Sequence, residues 1–190
     1  MIADMVSQIS FITGNRGKFE EAQKIFSNTE ITLIQEKFDT PEIQSENVVE
    51  IVKFSAEYVG RKLEKPLFVM DRGFYIESLN GFPGPFVKFI NNWLSSDQIL
   101  KMLDGVGNRK AYWLTVLGLY IPRTEVNIFV GRDSGTVPQV LAGDFGYMAD
   151  KLFIPEGSSV ALSQMNKEKY DKFWESTSCW NDLIDYLTRL

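Results

Sequence analysis

The stretch FITGNRGKFEEAQKIF, residues 11–26, joins an apolar start to a Thr-Gly-Asn turn and then to an amphipathic run. Phe11 and Ile12, with Ile9 before them, read as the end of a short strand over residues 8–13. Phe19, Ala22 and Phe26 recur at helical spacing and predict a helix over 16–27. A strand that turns through a glycine directly into a helix opens an alternating β/α fold. It also leaves the first N–H groups of the helix without intrahelical acceptors, at the positive end of the helix dipole, where an anion is favoured. Gly14 lets a ligand approach the backbone closely. Arg16 and Lys18 put two positive charges at that same end, against the dipole, and a bound anion would offset them. An ordinary strand-to-helix turn with solvated basic residues accounts for the same stretch, because it is not a complete phosphate loop.

Downstream, EITLIQEKF predicts a second strand, and residues 46–63 a long amphipathic helix with Val49, Val52, Ala56 and Val59 on one stripe. KPLFVMD predicts a third, buried strand that ends on an acid, and residues 74–79 a separate short strand. NGFPGP is dense turn punctuation. FVKFINNWL and SSDQILKMLDG follow as two helices, the second capped by Ser96 or Asp97. KAYWLTVLGLYI and TEVNIFVGRDSGTVP form a hairpin or meander around Pro122-Arg123, GDFGYMADKLFIPEG is loop and strand, and residues 163–175 and 178–189 are helical. The order β-α-β-α-β, then antiparallel strands, then helices, gives a mixed α/β domain. At 190 residues the prior is one domain, residues 1–190, elongated into two lobes around a cleft.

Composition removes whole classes of chemistry. The chain contains no histidine, which excludes Ser-His-Asp and Cys-His catalysis and histidine-ligated metals. Its single cysteine, Cys179, excludes an internal disulfide and a thiolate zinc site and fits a reducing cytoplasm. A net charge of −5 argues against a broad nucleic-acid-binding face, while a few local cations suffice for a small anionic ligand. The start, MIADMVSQISFIT, lacks a basic leader region, and no apolar run reaches the roughly 18 residues of a membrane span.

Any general base must therefore be Asp, Glu, Lys, Tyr or Cys. Asp71 ends the third strand, and in open α/β sheets ligands gather beyond the carboxyl ends of strands. There it could hold a magnesium ion or orient a water, or simply cap a turn. Glu42, after Pro41, reads by itself as part of a solvated loop, and Lys53, on the long helix, as a snorkelling lysine.

Taken in order, these pieces resemble the inosine triphosphate pyrophosphatase family. Its T-G-N-x-x-K matches Thr13, Gly14, Asn15 and Lys18; its L-P-E-x-Q resembles Thr40-Pro41-Glu42-Ile43-Gln44. Its acid pair before G-L is similar to Met70-Asp71-Arg72-Gly73-Phe74, with one acid kept; its A-L-N-G-x-P-G block is similar to residues 78–85. Its G-x-x-x-G resembles Gly131 to Gly135, and its F-G-Y/W resembles Phe145-Gly146-Tyr147. The resemblance implies a long central mixed sheet bent between two lobes, a homodimer, and hydrolysis of non-standard purine nucleoside triphosphates to the monophosphate and pyrophosphate with Mg (Mn serving as well). It implies that Thr13, Gly14, Asn15 and Lys18 hold the triphosphate, that Glu42 and Asp71 bind the metal, that Lys53 contacts phosphate, and that Asp71 positions or activates water. Phe145, Tyr147 and Lys169 would contact the base, with Lys167 the alternative for the lysine.

The chain departs from the family pattern in three places. Met148-Ala149-Asp150 follows Tyr147 where Asp-Pro is usual, Arg72 replaces a small residue, and the base-reading S-H-R triplet is missing, with Lys172-Phe173-Trp174-Glu175-Ser176 in that region. The phosphate half is retained and the base half is not. Three readings follow: an active enzyme with altered base choice, stacking the base on Phe145, Tyr147 or Trp174; a catalytically weak nucleotide-binding sensor or regulatory dimer; and a scaffold without chemistry. Trp174 itself reads as a core or interface aromatic.

Overall fold

The computed structural model describes residues 7–190; Met1–Val6, which open the stretch read as lacking a leader, lie outside the described residues. The order of elements is β1 (Gln8–Ile12), α1 (Arg16–Phe26), β2 (Thr32–Glu36), α2 (Val48–Leu63), β3 (Leu67–Ile76), β4 (Pro83–Gly84), α3 (Val87–Ile90) and α4 (Ser96–Lys101). Then come β5 (Lys110–Tyr120), β6 (Asn127–Thr136), α5 (Met148–Lys151), β7 (Ile154–Pro155), α6 (Lys167–Glu175) and α7 (Ser178–Thr188). The expected mixed α/β architecture is borne out. The sheet runs β2-β1-β3-β5-β6-β7, with β4 paired to β3. β1 pairs in parallel with β2 and with β3, while β3 pairs antiparallel with β4 and β6 with β7. The parallel part arises from the two crossovers that run through α1 and α2.

The chain divides into two compact units. The first comprises residues 1–71, 115–131 and 174–190, of which residues 7 onward are described, and the second comprises residues 72–114 and 132–173. The core of the first unit collects Ile9 and Phe11 of β1, Ala22 and Phe26 of α1, Phe68 and Met70 of β3, Leu117 and Leu119 of β5, and Cys179, Trp180, Leu183 and Leu187 of α7. Phe11 stacks on Phe68 at 4.4 Å, and Trp180 meets Phe68 edge-on at 6.1 Å. The Trp180 indole N–H, fully buried, donates to Glu21 at 3.0 Å, so burial leaves no unpaired donor there. In the second unit Phe74 packs on Trp113 at 5.0 Å and edge-on against Phe153 at 5.9 Å.

Four local expectations need correction. The two strands read at 67–71 and 74–79 are one continuous β3, followed by a 3-10 turn at Glu77–Leu79. At Gly73, in the gap between those two readings, the Tyr75 ring lies 2.6 Å from where a Cβ would stand, so the glycine makes room within the strand. On α2 the buried stripe starts at Val48, with Val49 half-buried, because Asn47 caps the helix and sets its first turn. The helix expected over FVKFINNWL shortens to the four residues of α3. α4 is capped by Ser95, whose hydroxyl accepts the Gln98 N–H while the Gln98 side chain accepts the Ser95 N–H; Ser96 and Asp97 lie inside the helix.

Candidate active site

The opening turn is built by reciprocal hydrogen bonds. Thr13 continues β1, its N–H donating to the Glu36 carbonyl at 2.9 Å and its carbonyl accepting from the Gln35 side chain at 3.1 Å. The Thr13 hydroxyl accepts the Asn15 N–H at 3.1 Å, and Asn15 in turn caps α1 through its side-chain oxygen, which accepts the Lys18 N–H at 3.1 Å. The cap takes the third amide of the helix and leaves those of Arg16 and Gly17, which no residue within a helix can reach. A Cβ at Gly14 would meet nothing within 4 Å, so no packing within the protein requires glycine there. Glycine at this turn leaves the approach to those amides open.

Lys18 is only half exposed, because its side chain crosses to the middle of β3, where Asp71 lies between two buried runs of the strand and not at its end as the run KPLFVMD implies. Its ammonium donates to the Met70 carbonyl at 3.1 Å and to Asp71 Oδ1 at 3.0 Å. Strand-turn-helix and third strand, separated by 53 residues in sequence, thus deliver one cation and one carboxylate to a single point. The positive charge at the start of α1 is explained by this acid as well as by an incoming anion. Arg16, by contrast, turns outward to Glu20 at 2.7 Å, with 89% of its side chain exposed.

Glu42 and Lys53 are exposed, the first on the loop before α2 and the second on that helix. Among the described residues neither side chain forms a hydrogen bond or ion pair, and neither joins the Lys18–Asp71 pair by a direct contact. No cluster of three or more acidic or cysteine side chains suited to a metal occurs among the described residues. The donor chemistry still fits magnesium. Carboxylate oxygens are hard ligands, and a Mg ion normally keeps several waters and substrate phosphate oxygens besides one or two carboxylates.

In the second unit, the sequence-derived base contacts lie on and beside one loop. Phe145 is 42% exposed and Tyr147 is 70% exposed. Lys169 is exposed on α6, its N–H donating to Asn166 at 2.9 Å as part of that helix start. Trp174 is buried at 6% exposure, which matches the core alternative of its reading.

Two residues of this region escaped the sequence reading. Asp150 is 2% exposed, and its Oδ2 accepts the Tyr147 N–H at 2.6 Å and the Tyr170 hydroxyl at 3.2 Å. Burial raises its pKa to about 6, against the lowering effect of the Tyr147 N–H, the Tyr170 hydroxyl and the nearby Arg72 charge. The available signal was an acid displaced by two positions from its expected place directly after Tyr147. Tyr170 carried no separate signal. A cavity of about 480 Å³ also opens in this unit beside Lys110, Arg132, Ser134 and Glu156. It contains none of the expected site residues, and charges of both signs on its wall favour no one ligand charge.

Comparisons to known proteins identify the family. The family model described as the Ham1 family matches residues 9–186. The chain is 39% identical over 181 residues to a protein named dITP/XTP pyrophosphatase from Methanosarcina acetivorans, covering 95% of this chain and 97% of that one. It is 35% identical over 170 residues to a dITP/XTP pyrophosphatase from Methanopyrus kandleri, covering 90% of each. A solved Ham1 protein from Coxiella burnetii superposes with a TM-score of 0.81 at 20% identity, over 96% of this chain and 99% of that one, a likeness of fold. Sequence order, sheet topology and the model spanning nearly all of the chain lead to one assignment: the chain belongs to the Ham1 family.

Proposed function

We propose that the chain is a nucleoside triphosphate pyrophosphohydrolase that cleaves non-standard purine nucleoside triphosphates to the monophosphate and pyrophosphate. The observation that carries this reading is the meeting of Lys18 with Asp71 at the open start of α1. The shared name of the archaeal relatives, dITP/XTP pyrophosphatase, supports the substrate class. In this reading Thr13, Gly14 and Asn15 shape the turn whose amides take the polyphosphate, and Lys18 and Lys53 supply positive charge to it. Residues 1–190 act as one functional domain, as a homodimer, on the soluble nucleotide pool of the cytoplasm.

Glu42 and Asp71 would hold a divalent cation, taken as Mg with Mn serving as well. Such an ion, when bound, neutralises phosphate charge and polarises the bond to be broken. The chain's own part is as follows. Asp71, fixed by Lys18 through Oδ1, orients a water toward the α-phosphorus and accepts its proton. The water oxygen forms a bond to that phosphorus. The bond from the α-phosphorus to the α–β bridging oxygen breaks, and its electron pair leaves with pyrophosphate. Phe145 and Tyr147 stack the flat base, an interaction tolerant of ring substituents, and Lys169 contacts it from α6.

Pyrophosphate release with Mg is measured over a panel of inosine, deoxyinosine, xanthosine, adenosine and guanosine triphosphates. The inosine and xanthosine substrates are expected to turn over fastest, and Asp71→Asn and Glu42→Gln to lose about 100-fold or more. Equal rates in wild type and both variants would overturn the proposal. So would diphosphate and orthophosphate as products.

A further inference from the structure

The loop that carries the two exposed aromatics is held at both ends by groups that do not themselves face solvent. At its start, the buried Ser163 hydroxyl donates to the Ala142 carbonyl at 2.7 Å, and the Ser163 carbonyl accepts the Phe145 N–H at 3.3 Å. At its end, Asp150 Oδ2 accepts the Tyr147 N–H at 2.6 Å. Gly146, at φ 81°, is what lets the chain turn there, and a Cβ on it would fall against the Asp150 carboxylate. The same carboxylate oxygen accepts the Tyr170 hydroxyl, and the Tyr170 ring meets Phe145 edge-on at 4.9 Å and 84°. One pair, Asp150 and Tyr170, therefore touches both aromatics: the backbone of Tyr147 and the ring of Phe145.

A turn this short could be closed with a serine or asparagine cap at lower cost. A carboxylate nearly removed from water needs a reason. The hydrogen bonds it accepts fix backbone and ring together, and they do so at the site where a flat ligand would need two surfaces already in place. Pre-organised aromatic platforms avoid an ordering cost on binding.

We propose that Asp150 and Tyr170 are positioning residues which lock Phe145 and Tyr147 into the arrangement that stacks a heteroaromatic base. The proposal rests on the assignment of those two aromatics as the base-stacking pair. Neither Asp150 nor Tyr170 touches the phosphates in this scheme. Their loss therefore acts on recognition of the base and leaves the polyphosphate end intact.

The test compares two probes with Mg: an α,β-methylene analogue of inosine triphosphate, which carries the base, and inorganic tripolyphosphate, which does not. Asp150→Ala and Tyr170→Phe are expected to weaken the nucleotide analogue about 10-fold, the loss of a buried hydrogen bond, with tripolyphosphate affinity unchanged. In turnover KM rises by a similar factor while kcat holds. Asp150→Asn, whose amide oxygen still accepts the Tyr147 N–H, restores most of the affinity; a merely structural carboxylate would show no such selectivity between probes. Tyr170→Phe removes a single oxygen, so it keeps the test open should Asp150→Ala fail to fold. Phe145→Ala and Tyr147→Ala separate the two levels of the argument. If they weaken the analogue while Asp150→Ala and Tyr170→Phe do not, the positioning role is wrong and the stacking assignment stands. If they leave the analogue unaffected, both fall. Equal weakening of analogue and tripolyphosphate by Tyr170→Phe also overturns the positioning role.

Discussion

Replacing Asp150 by Asn should change how stability depends on pH, and by an amount the structure allows to be worked out. In the folded chain the Asp150 pKa stands at about 6, against an ordinary value of 3.8, because burial penalises the charged form more than its partners favour it. A raised pKa means that the folded state holds a proton the unfolded state has released. The resulting stabilisation is complete below about pH 3.8 and is lost as the pH rises through 6. The interval is roughly 2 pH units at 1.36 kcal/mol each, so wild type should lose about 3 kcal/mol across it from this group alone. The asparagine variant carries no charge at any pH and keeps an oxygen for the Tyr147 N–H, so its profile lacks that fall. Urea unfolding of both proteins at intervals from pH 4 to pH 8 gives the difference curve, in which contributions from all other groups cancel. The variant should gain on wild type by about 1.4 kcal/mol per pH unit at the steepest point and level off above pH 7. A parallel carbon-13 titration of the Asp150 carboxyl should show its midpoint near 6. A flat difference curve, or one that falls with pH, would refute the argument that desolvation outweighs the two hydrogen bonds and the Arg72 charge.

Other perturbations separate stability from activity. Lys18→Met breaks a pair whose side chains are 23% and 39% exposed, so it should cost about 1 kcal/mol or less in urea unfolding, yet lower pyrophosphate release by about 100-fold; comparable losses in both measurements would contradict the site assignment. Gly60→Ala sets helix propensity against packing. Propensity alone predicts a gain of about 1 kcal/mol, but the new methyl would fall on the Tyr120 ring, and a net loss of about 1–3 kcal/mol is expected in thermal unfolding. Trp180→Ala empties a fully buried site and removes the indole donor to Glu21, and should cost about 3–5 kcal/mol by denaturant titration.

Much of this protein was legible in its sequence because the deciding signals are local. The β/α/β order follows from periodicity, and the turn at Thr13-Gly14-Asn15 carries its own cap, so a reader of residues 11–26 finds both the strand end and the helix start. Asp71 was legible because a buried apolar run ends on it. The misreadings share a different cause. The division of β3 at residues 72–73 overlooked that Gly73 yields space to Tyr75, two positions along the same strand, which only the folded geometry shows. Ser95, Ser96 and Asp97 are all competent caps, and the choice among them depends on where Gln98 falls relative to the first turn. Asp150 and Tyr170, 20 residues apart, matter through one shared hydrogen bond, a relation with no period and no motif. Lys18 is the intermediate case: its charge at a helix start points to an offsetting anion, and the folded chain supplies one from within, the Asp71 carboxylate.

The single cysteine offers a practical handle. Cys179 has no exposed surface and sits in the core of the first unit, where a side chain on Gly131 would crowd its sulfur. With no second thiol in the chain, every equivalent of a disulfide-exchange dye consumed reports that one sulfur reaching solvent. The dye's colour then acts as a clock on how often α7 lifts away from the sheet. Timing it with and without nucleotide would register ligand-induced tightening of that unit with no label added and no residue changed.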